Sequence, residues 1–140
     1  MPLLSALLAP LVATAAALSA PAPDLEAARF ARCGAAARVT CVVDGDTFWN
    51  RGARIRIADI NTPEVSRPRC PREAALGARA SARLQALLNQ GAFTLETVDR
   101  DRGGYGRLLR TVTRQGESVG AMLVREGLAE EWRGRRSGWC

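Results

Sequence analysis

Three short segments of the sequence carry residue types suited to binding hard metal ions and phosphate groups: VVDGDTFW, RIADINTPE and DRGGYGRLLR. In the first segment, Asp44 and Asp46 flank a glycine where a strand is predicted to end. A carboxylate at a strand end is well placed to bind a cation, because Ca²⁺ and Mg²⁺ take oxygen ligands. The alternative for this segment alone is an ordinary Asp-Gly turn.

The second segment places a guanidinium, an amide and a carboxylate within nine residues, at Arg56, Asn61 and Glu64. These groups can supply a phosphate clamp, a cation ligand and a base. The alternative is a strand that ends in a turn at Thr62 and the following proline. Strict alternation along a strand would put Arg56 and Asn61 on opposite faces, so a shared site requires a bulge or bend between them.

The third segment surrounds Tyr105 with glycines at positions 103, 104 and 106 and leads into Arg107. Glycines let the backbone turn tightly or approach a ligand closely. Tyr105 offers a ring for base stacking, and Arg107 offers a second fork for phosphate. The alternative is a hairpin turn followed by a solvated arginine.

The composition limits the chemistry that these segments can perform. The 140 residues include no His, which excludes Ser-His-Asp and Cys-His catalysis and a His general base. Acid–base chemistry must therefore come from carboxylates, Tyr, Cys or metal-bound water. The net charge is +6 and every basic residue is Arg, a balance that favours polyanionic partners such as DNA or RNA.

The N-terminus has the pattern of an export signal. Residues 3–17 are apolar and uncharged, and small residues precede the proline-rich stretch 21–23. We predict a signal peptide over residues 1–20 and an exported protein, periplasmic or secreted, with an uncleaved N-terminal anchor as the alternative. Pro10 interrupts the apolar run and argues against a stable membrane span in the mature form.

Four cysteines are present, at positions 33, 41, 70 and 140. An even number in a small exported domain favours two disulfides, for which three pairings exist. Cys33–Cys41 would tie the incoming arm to the first strand, and Cys70–Cys140 would pin the C-terminus to a loop. A metal site is disfavoured because the spacings are long and no His joins them. Free thiols are the alternative if the protein is not exported.

The elements that must position these residues are short strands and two helices. Hydrophobic periodicity predicts strands at residues 38–43, 47–49, 53–60, 93–98 and 107–114, and helices at 72–89 and 119–126. This order favours an α+β fold, a small closed β-barrel that carries two or three helices. Residues 21–37 are predicted to be a linker with a short helix at 24–30, and residues 38–140 to be the single domain.

Taken together, the segments resemble the staphylococcal nuclease (thermonuclease-like) family. The resemblance rests on the order and spacing of DGDT, R-x4-N-T-P-E, a helix, Y-G-R and LVREGLAE, and it covers roughly residues 39–132. It implies an OB-type five-stranded barrel and a monomeric endonuclease that cleaves DNA and RNA with Ca²⁺. Mg²⁺ and Mn²⁺ remain alternatives for the ion.

The resemblance also implies a role for each matching residue. Asp46 corresponds to a carboxylate metal ligand, and Thr62 to a residue whose backbone carbonyl binds the ion. Glu64 matches the general base, and Arg56 and Arg107 match the pair that binds the scissile phosphate. Tyr105 matches a tyrosine beside the bound nucleotide.

Asn61 departs from the pattern, because it stands where a second metal-binding aspartate is expected. A neutral amide oxygen there should weaken the binding of the ion, and Asp59, two residues earlier, is a candidate to restore the lost charge. The alternative function is a catalytically weakened module of the same fold that holds nucleic acid. Trp132 is a further residue that can stack on a nucleotide or pack against the barrel.

Overall fold

A computed structural model describes residues 10–17 and 23–140 of the chain. The predicted signal peptide therefore lies for the most part outside the described residues. The strands are β1 Ala31–Arg32, β2 Cys41–Asp44, β3 Thr47–Asn50, β4 Ala53–Ile57, β5 Ile60–Asn61, β6 Thr94–Arg102, β7 Leu108–Arg114, β8 Glu117–Ser118 and β9 Glu130–Glu131. The helices are α1 Pro71–Asn89 and α2 Val119–Arg125, and a short 3₁₀ turn, Gly104–Gly106, joins β6 to β7.

Seven of the strands in the described ranges form one mixed sheet in the order β1-β2-β3-β4-β7-β6, with β8 paired to β7. The pairs β1–β2 and β4–β7 are parallel and the other pairs are antiparallel. The remaining strands, β5 and β9, form a separate antiparallel pair. The fold is therefore α+β, as predicted, and each of the five predicted strands is present. Closure of the sheet into a barrel stays a prediction.

The core lies between the sheet and the two helices. Three aromatic rings meet at its centre, with the Phe30 and Phe48 centroids 5.7 Å apart and those of Phe48 and Phe93 6.4 Å apart, both edge to face. Helix α1 buries Leu84 and Leu88 against them. Fully burying one such side chain contributes about 1.5–3 kcal/mol. These contacts hold the strands that carry the candidate site.

Helix α1 begins and ends where its sequence predicts. Pro71 stands in its first turn, where the missing N–H is not needed, and the Cys70 Sγ accepts a hydrogen bond from the Glu73 backbone N–H at 3.4 Å. Helix α2 is followed by Gly127 at φ +74°, the left-handed conformation expected after a helix C-terminus. Both predicted helices are confirmed. Among the described residues, no helix is long and apolar enough to cross a membrane.

The third predicted strand is broken by a bend at residues 58 and 59, between β4 and β5. The Ala58 N–H donates to the Arg110 carbonyl at 2.9 Å, and the Trp132 N–H donates to the Asp59 carbonyl at 2.9 Å. The bend is the departure from strict alternation that a site shared by Arg56 and Asn61 requires.

The segment before β1 is extended, so the short helix predicted at residues 24–30 is wrong. Exposure alternates residue by residue from position 23 to position 29, and Phe30 is buried. The Glu26 and Phe93 backbones exchange two hydrogen bonds of 2.9 Å. This pairing and the burial of Phe30 outweigh the weak helical preference of an alanine-rich stretch. This half of the predicted linker thus packs against the domain.

Two disulfides are present in the structure, Cys33–Cys41 and Cys70–Cys140. The first ties the end of the N-terminal segment to β2. The second spans 70 residues and fastens the tail after β9 to the start of α1. By the chain-entropy argument, a cross-link over a loop of this length stabilises a fold by about 4 kcal/mol.

Candidate active site

The carboxylate of Asp46 is the buried centre of the candidate site, at the turn between β2 and β3. Its Oδ1 accepts a hydrogen bond from the Thr47 hydroxyl at 3.0 Å, and its Oδ2 accepts one from the Thr62 backbone N–H at 3.0 Å. The turn can pass this close to the Thr62 side chain only because residue 45 is glycine, where a Cβ would lie 2.8 Å from both Ala80 and Thr62. The DGD turn is therefore packed against Thr62 and Ala80 and requires glycine at its centre.

Arg56 lies beside Asp46, with its Nη2 3.4 Å from the Asp46 Oδ2. Its Nη1 donates to the Ile57 carbonyl and to the Ile60 carbonyl, the latter at 2.8 Å. The Trp132 ring centroid is 6.0 Å from the guanidinium carbon, so the ring covers this cation. Only 9% of the Arg56 side chain is exposed, and the guanidinium is fixed on several sides.

The surroundings of Arg56 shift the pKa of its guanidinium. Burial lowers the pKa of this guanidinium, and the negative charge of Asp46 opposes that shift. The positive charges of Arg107 and Arg136 act in the same direction as burial. Three guanidiniums therefore act on one region of the molecule, and an anion placed among them would relieve their repulsion.

Asn61 and Thr62 follow the bend and are both buried. The Asn61 Nδ2 donates to the Glu130 Oε1 at 2.9 Å, across the β5–β9 pair. The same Glu130 oxygen accepts a hydrogen bond from the Ser137 backbone N–H at 2.9 Å. Burial works to raise the pKa of Glu130, but the hydrogen bonds from Ser137 and Asn61 outweigh it and the pKa is lowered. Asn61 is thus part of a polar link between β5 and the tail.

Glu64 stands at the surface of the site. Its Oε1 lies 2.9 Å from the Arg136 Nη1, and 36% of its side chain is exposed. The loop that carries it is held by Glu73, whose carboxylate accepts from the Glu64 N–H at 3.4 Å and from the Arg69 N–H at 2.9 Å. The Glu64 carbonyl packs on Gly77 of α1, where a Cβ would lie 2.8 Å from that oxygen. Helix α1 therefore sets the position of Glu64.

Asp44 belongs to the same acidic region. Burial raises the pKa of its carboxyl to about 7, and the charges of Asp46 and Glu64 act in the same direction. Among the described residues, no group of three or more Asp, Glu, His or Cys side chains is arranged to hold a metal ion by itself. A hard cation would therefore need backbone or amide oxygens beside the carboxylates.

Arg107 follows the 3₁₀ turn, and its Nε donates to the Gly104 carbonyl at 3.0 Å. Arg56, Arg107, Trp132 and Arg136 line one open cleft of about 390 Å³. Tyr105 adopts φ +61° and is 93% exposed. It is not one of the residues that line this cleft. The structure thus brings the two predicted arginines together and leaves Tyr105 on the surface.

A second cavity of about 130 Å³ lies next to the first and is lined by Asn61, Thr62, Glu64 and the tail. Arg136 borders both cavities. Asp46 contacts a lining residue of each cavity: it forms an ion pair with Arg56 of the larger one and accepts a hydrogen bond from Thr62 of the smaller one. The predicted metal, base and phosphate residues therefore belong to one continuous region.

Several residues of this region were not predicted from the sequence as site residues: Asp44, Glu73, Glu130 and Arg136. Asp44 was visible in the DGD motif, and Glu73 as an acid in the first turn of a helix. Asp59, the candidate for a second ligand carboxylate, accepts a hydrogen bond from the Ser118 hydroxyl through its Oδ2 at 2.7 Å, at the start of α2.

The sequence is similar to those of known proteins. The profile of the family described as "Staphylococcal nuclease homologue" matches residues 54–137. The chain is 38% identical over 93 residues to endonuclease YncB of Bacillus subtilis (strain 168), covering 62% of this chain and 43% of that protein. It is 41% identical over 93 residues to the SPbeta prophage-derived endonuclease YokF of the same strain, covering 62% of this chain and 31% of that protein. The chain thus spans less than half the length of these curated relatives.

Proposed function

Because this chain belongs to the staphylococcal nuclease family, we propose that it is a metal-dependent endonuclease that hydrolyses phosphodiester bonds in DNA, RNA or both. The observation that carries the proposal is the fixed Asp46–Arg56 pair beside a cleft that also holds Arg107, next to a smaller cavity that Glu64 lines. Nucleic acid is the proposed partner, and the protein is proposed to act as a monomer.

Arg56 and Arg107 are proposed to hold the phosphate that is cleaved. In-line attack on a phosphodiester builds negative charge on the equatorial oxygens, and guanidiniums fixed before the reaction stabilise that charge. The carbonyls of residues 57 and 60 hold Arg56 in place without the substrate, so little of its freedom is lost on binding. Removing one such fixed donor typically lowers the rate about 10²–10³-fold.

The donor set fits a hard divalent cation, for which Ca²⁺ is our first choice and Mg²⁺ or Mn²⁺ the alternatives. Asp46, the Thr62 carbonyl and the Asn61 amide oxygen would hold it; all three residues are buried, and the Thr62 N–H donates to the Asp46 Oδ2. When bound, such an ion neutralises charge on the phosphate and lowers the pKa of water beside it. The raised pKa of Asp44 agrees with a place where negative charge is crowded and a cation would relieve it.

Glu64 is proposed to orient the attacking water and to accept its proton. In the resting structure the Glu64 Oε1 is paired with the Arg136 Nη1. A water can be held at this oxygen only if Arg136 moves from Glu64 when substrate binds. A positioned general base typically contributes about 10²–10⁴-fold in rate.

The wider predictions also stand as proposals. We propose that residues 38–140 form the family's domain as an OB-type barrel, and that residues 1–20 direct export to the periplasm or the medium. The two disulfides agree with an oxidising compartment, where such bonds persist.

A nucleic-acid-binding module with weakened catalysis is the second candidate function. The observation that favours it is Asn61, which supplies a neutral oxygen where a carboxylate is expected and whose amide nitrogen is bound to Glu130. One less negative charge would weaken the hold on a cation. The arginines of the cleft would still bind phosphate.

One experiment separates the two candidates. The purified, oxidised protein is incubated with plasmid DNA, single-stranded DNA and RNA, with Ca²⁺ or with a chelator, beside Glu64→Gln and the exposed control Glu117→Gln. We expect cleavage that the chelator abolishes, that Glu64→Gln lowers at least about 10²-fold, and that the control retains. Binding without cleavage under every condition, with Mg²⁺ and Mn²⁺ also supplied, would refute the nuclease proposal and support the binding module.

A further inference from the structure

The tail after β9 is fastened to the rest of the molecule on both sides of Arg136. On one side, the Trp132 N–H donates to the Asp59 carbonyl at 2.9 Å. On the other, the Ser137 N–H donates to Glu130 at 2.9 Å, and Cys140 is bonded to Cys70 at the start of α1. An exposed segment is thereby held against the cleft by a covalent bond and by backbone hydrogen bonds.

Arg136 occupies the position where the two cavities meet. It lines the larger cavity together with Arg56 and Arg107, and the smaller one together with Glu64. Its pairing with Glu64 contributes little to folding, because 58% of the Arg136 side chain is exposed and solvent screens an exposed ion pair. The stability of the fold therefore does not explain why residue 136 is an arginine.

We propose that Arg136 is a third phosphate-binding residue, which contacts a backbone phosphate next to the one that Arg56 and Arg107 hold. This inference rests on the proposed function for its substrate, a nucleic-acid strand. Arg136 can exchange the Glu64 carboxylate for a phosphate oxygen, because a guanidinium binds either group with the same planar fork. That exchange frees Glu64 at the moment when substrate fills the cleft.

A neighbouring phosphate fits better than the scissile one. Arg56 and Arg107 line the larger cavity and not the smaller one, whereas Arg136 lines both. The second cavity, which Arg136 also lines, is not lined by Trp132 or by the 3₁₀ turn. A nucleic-acid strand that enters both cavities would present successive phosphates to the two groups of arginines.

The chain offers a matched control one residue away. Arg135 lies on the same tail, and its replacement by alanine removes the same charge as Arg136→Ala. It lines a different surface cavity, together with Glu130 and Arg133. We compare Arg136→Ala with Arg135→Ala in the full-length oxidised protein. Fluorescence anisotropy measures the binding of a labelled 12-nucleotide single strand in the presence of chelator, over a range of salt concentrations.

We expect Arg136→Ala to weaken binding about tenfold and to reduce the salt slope of log K by about 0.7, the share of one phosphate contact on a single strand. Arg135→Ala should stay within about twofold of the wild type. With Ca²⁺ present, Arg136→Ala should raise KM for the 12-nucleotide strand more than KM for a dinucleotide with one phosphodiester, since only the longer strand carries a neighbouring phosphate.

Equal binding by the two variants would overturn the inference. So would an equal loss of kcat on both substrates with binding unchanged, because that result makes Arg136 a residue that positions Glu64. If the wild type binds but never cleaves, and Arg136→Ala alone weakens binding, the nuclease proposal fails while the third phosphate contact stands.

Discussion

Replacement of Arg56 by Met tests whether the centre of the site is held as tightly as its contacts indicate. The change leaves the Asp46 carboxylate, whose side chain is 10% exposed, without a cation, and it leaves the carbonyls of residues 57 and 60 without their donor. Removing one partner of a buried ion pair costs about 3–5 kcal/mol. Asp46 keeps its hydrogen bonds from Thr47 and Thr62, so we expect the lower end, about 3 kcal/mol.

The double variant Asp46→Asn with Arg56→Met should recover part of this loss, because no uncompensated charge is then buried. A coupling of about 1–2 kcal/mol between the two changes is expected for residues in direct contact. The measurement is urea unfolding followed by tryptophan fluorescence, with chelator present. Arg79→Met, an exposed change on α1, is the control and should stay within about 0.5 kcal/mol of the wild type.

A loss below about 1 kcal/mol for Arg56→Met, or additive effects in the double variant, would refute the reasoning. In either case Asp46 and Arg56 would be solvated independently of each other. Arg56 would then have to be ordered by the substrate, and the pre-organised phosphate clamp would lose its physical basis.

Two further predictions concern the elements around the site. Asp24 accepts hydrogen bonds from the Thr94 hydroxyl at 2.7 Å and from the Gln115 N–H at 2.8 Å, and the Thr94 bond is the first cause of its lowered pKa. Its stabilising effect is present above the unfolded pKa near 4 and is lost as the pH falls through the lower folded value. The protection factors of the amides at the Glu26–Phe93 pairing, which correct for the intrinsic exchange rate, should therefore fall on acidification. The fall should be smaller in Asp24→Asn, and an equal fall would contradict this role. Gly77→Ala should destabilise the protein by about 1–3 kcal/mol and lower cleavage, because the new Cβ meets the Glu64 carbonyl at 2.8 Å. Gly91→Ala, with open space around it, is the control in thermal unfolding, and equal melting temperatures for the two variants would count against the close approach.

The parts of the fold that the sequence predicts are those with strong local signals. Helix α1 has an apolar stripe, Pro71 in its first turn and a polar stop after Asn89. The need for a bend between Arg56 and Asn61 also followed from alternation, and the bend is present. These features depend on neighbours within a few residues, which a sequence displays directly.

The parts that the sequence does not predict depend on distant contacts. The segment before β1 is rich in alanine and suits a helix, yet it is extended because Glu26 pairs with Phe93 across the sheet. Arg136 stands in a tail without periodicity, and the distant contacts of that tail, among them the Cys70–Cys140 bond, bring it to Glu64. With three pairings open for four cysteines, no pattern in the sequence could place that arginine at the cleft.

The parallel pairing of β4 with β7 has a consequence for the kinetics of folding. It sets Ile55 opposite Leu108 and Arg56 opposite Leu109, so Arg56 and Arg107 become neighbours through a contact that closes a loop containing α1 and β6. Non-local parallel pairing forms slowly, because the entropy of loop closure is lost before the contacts are made. Until β7 joins the sheet, α1 and the β2–β4 meander can hold only Arg56 in place. The cleft becomes complete when β7 joins the sheet.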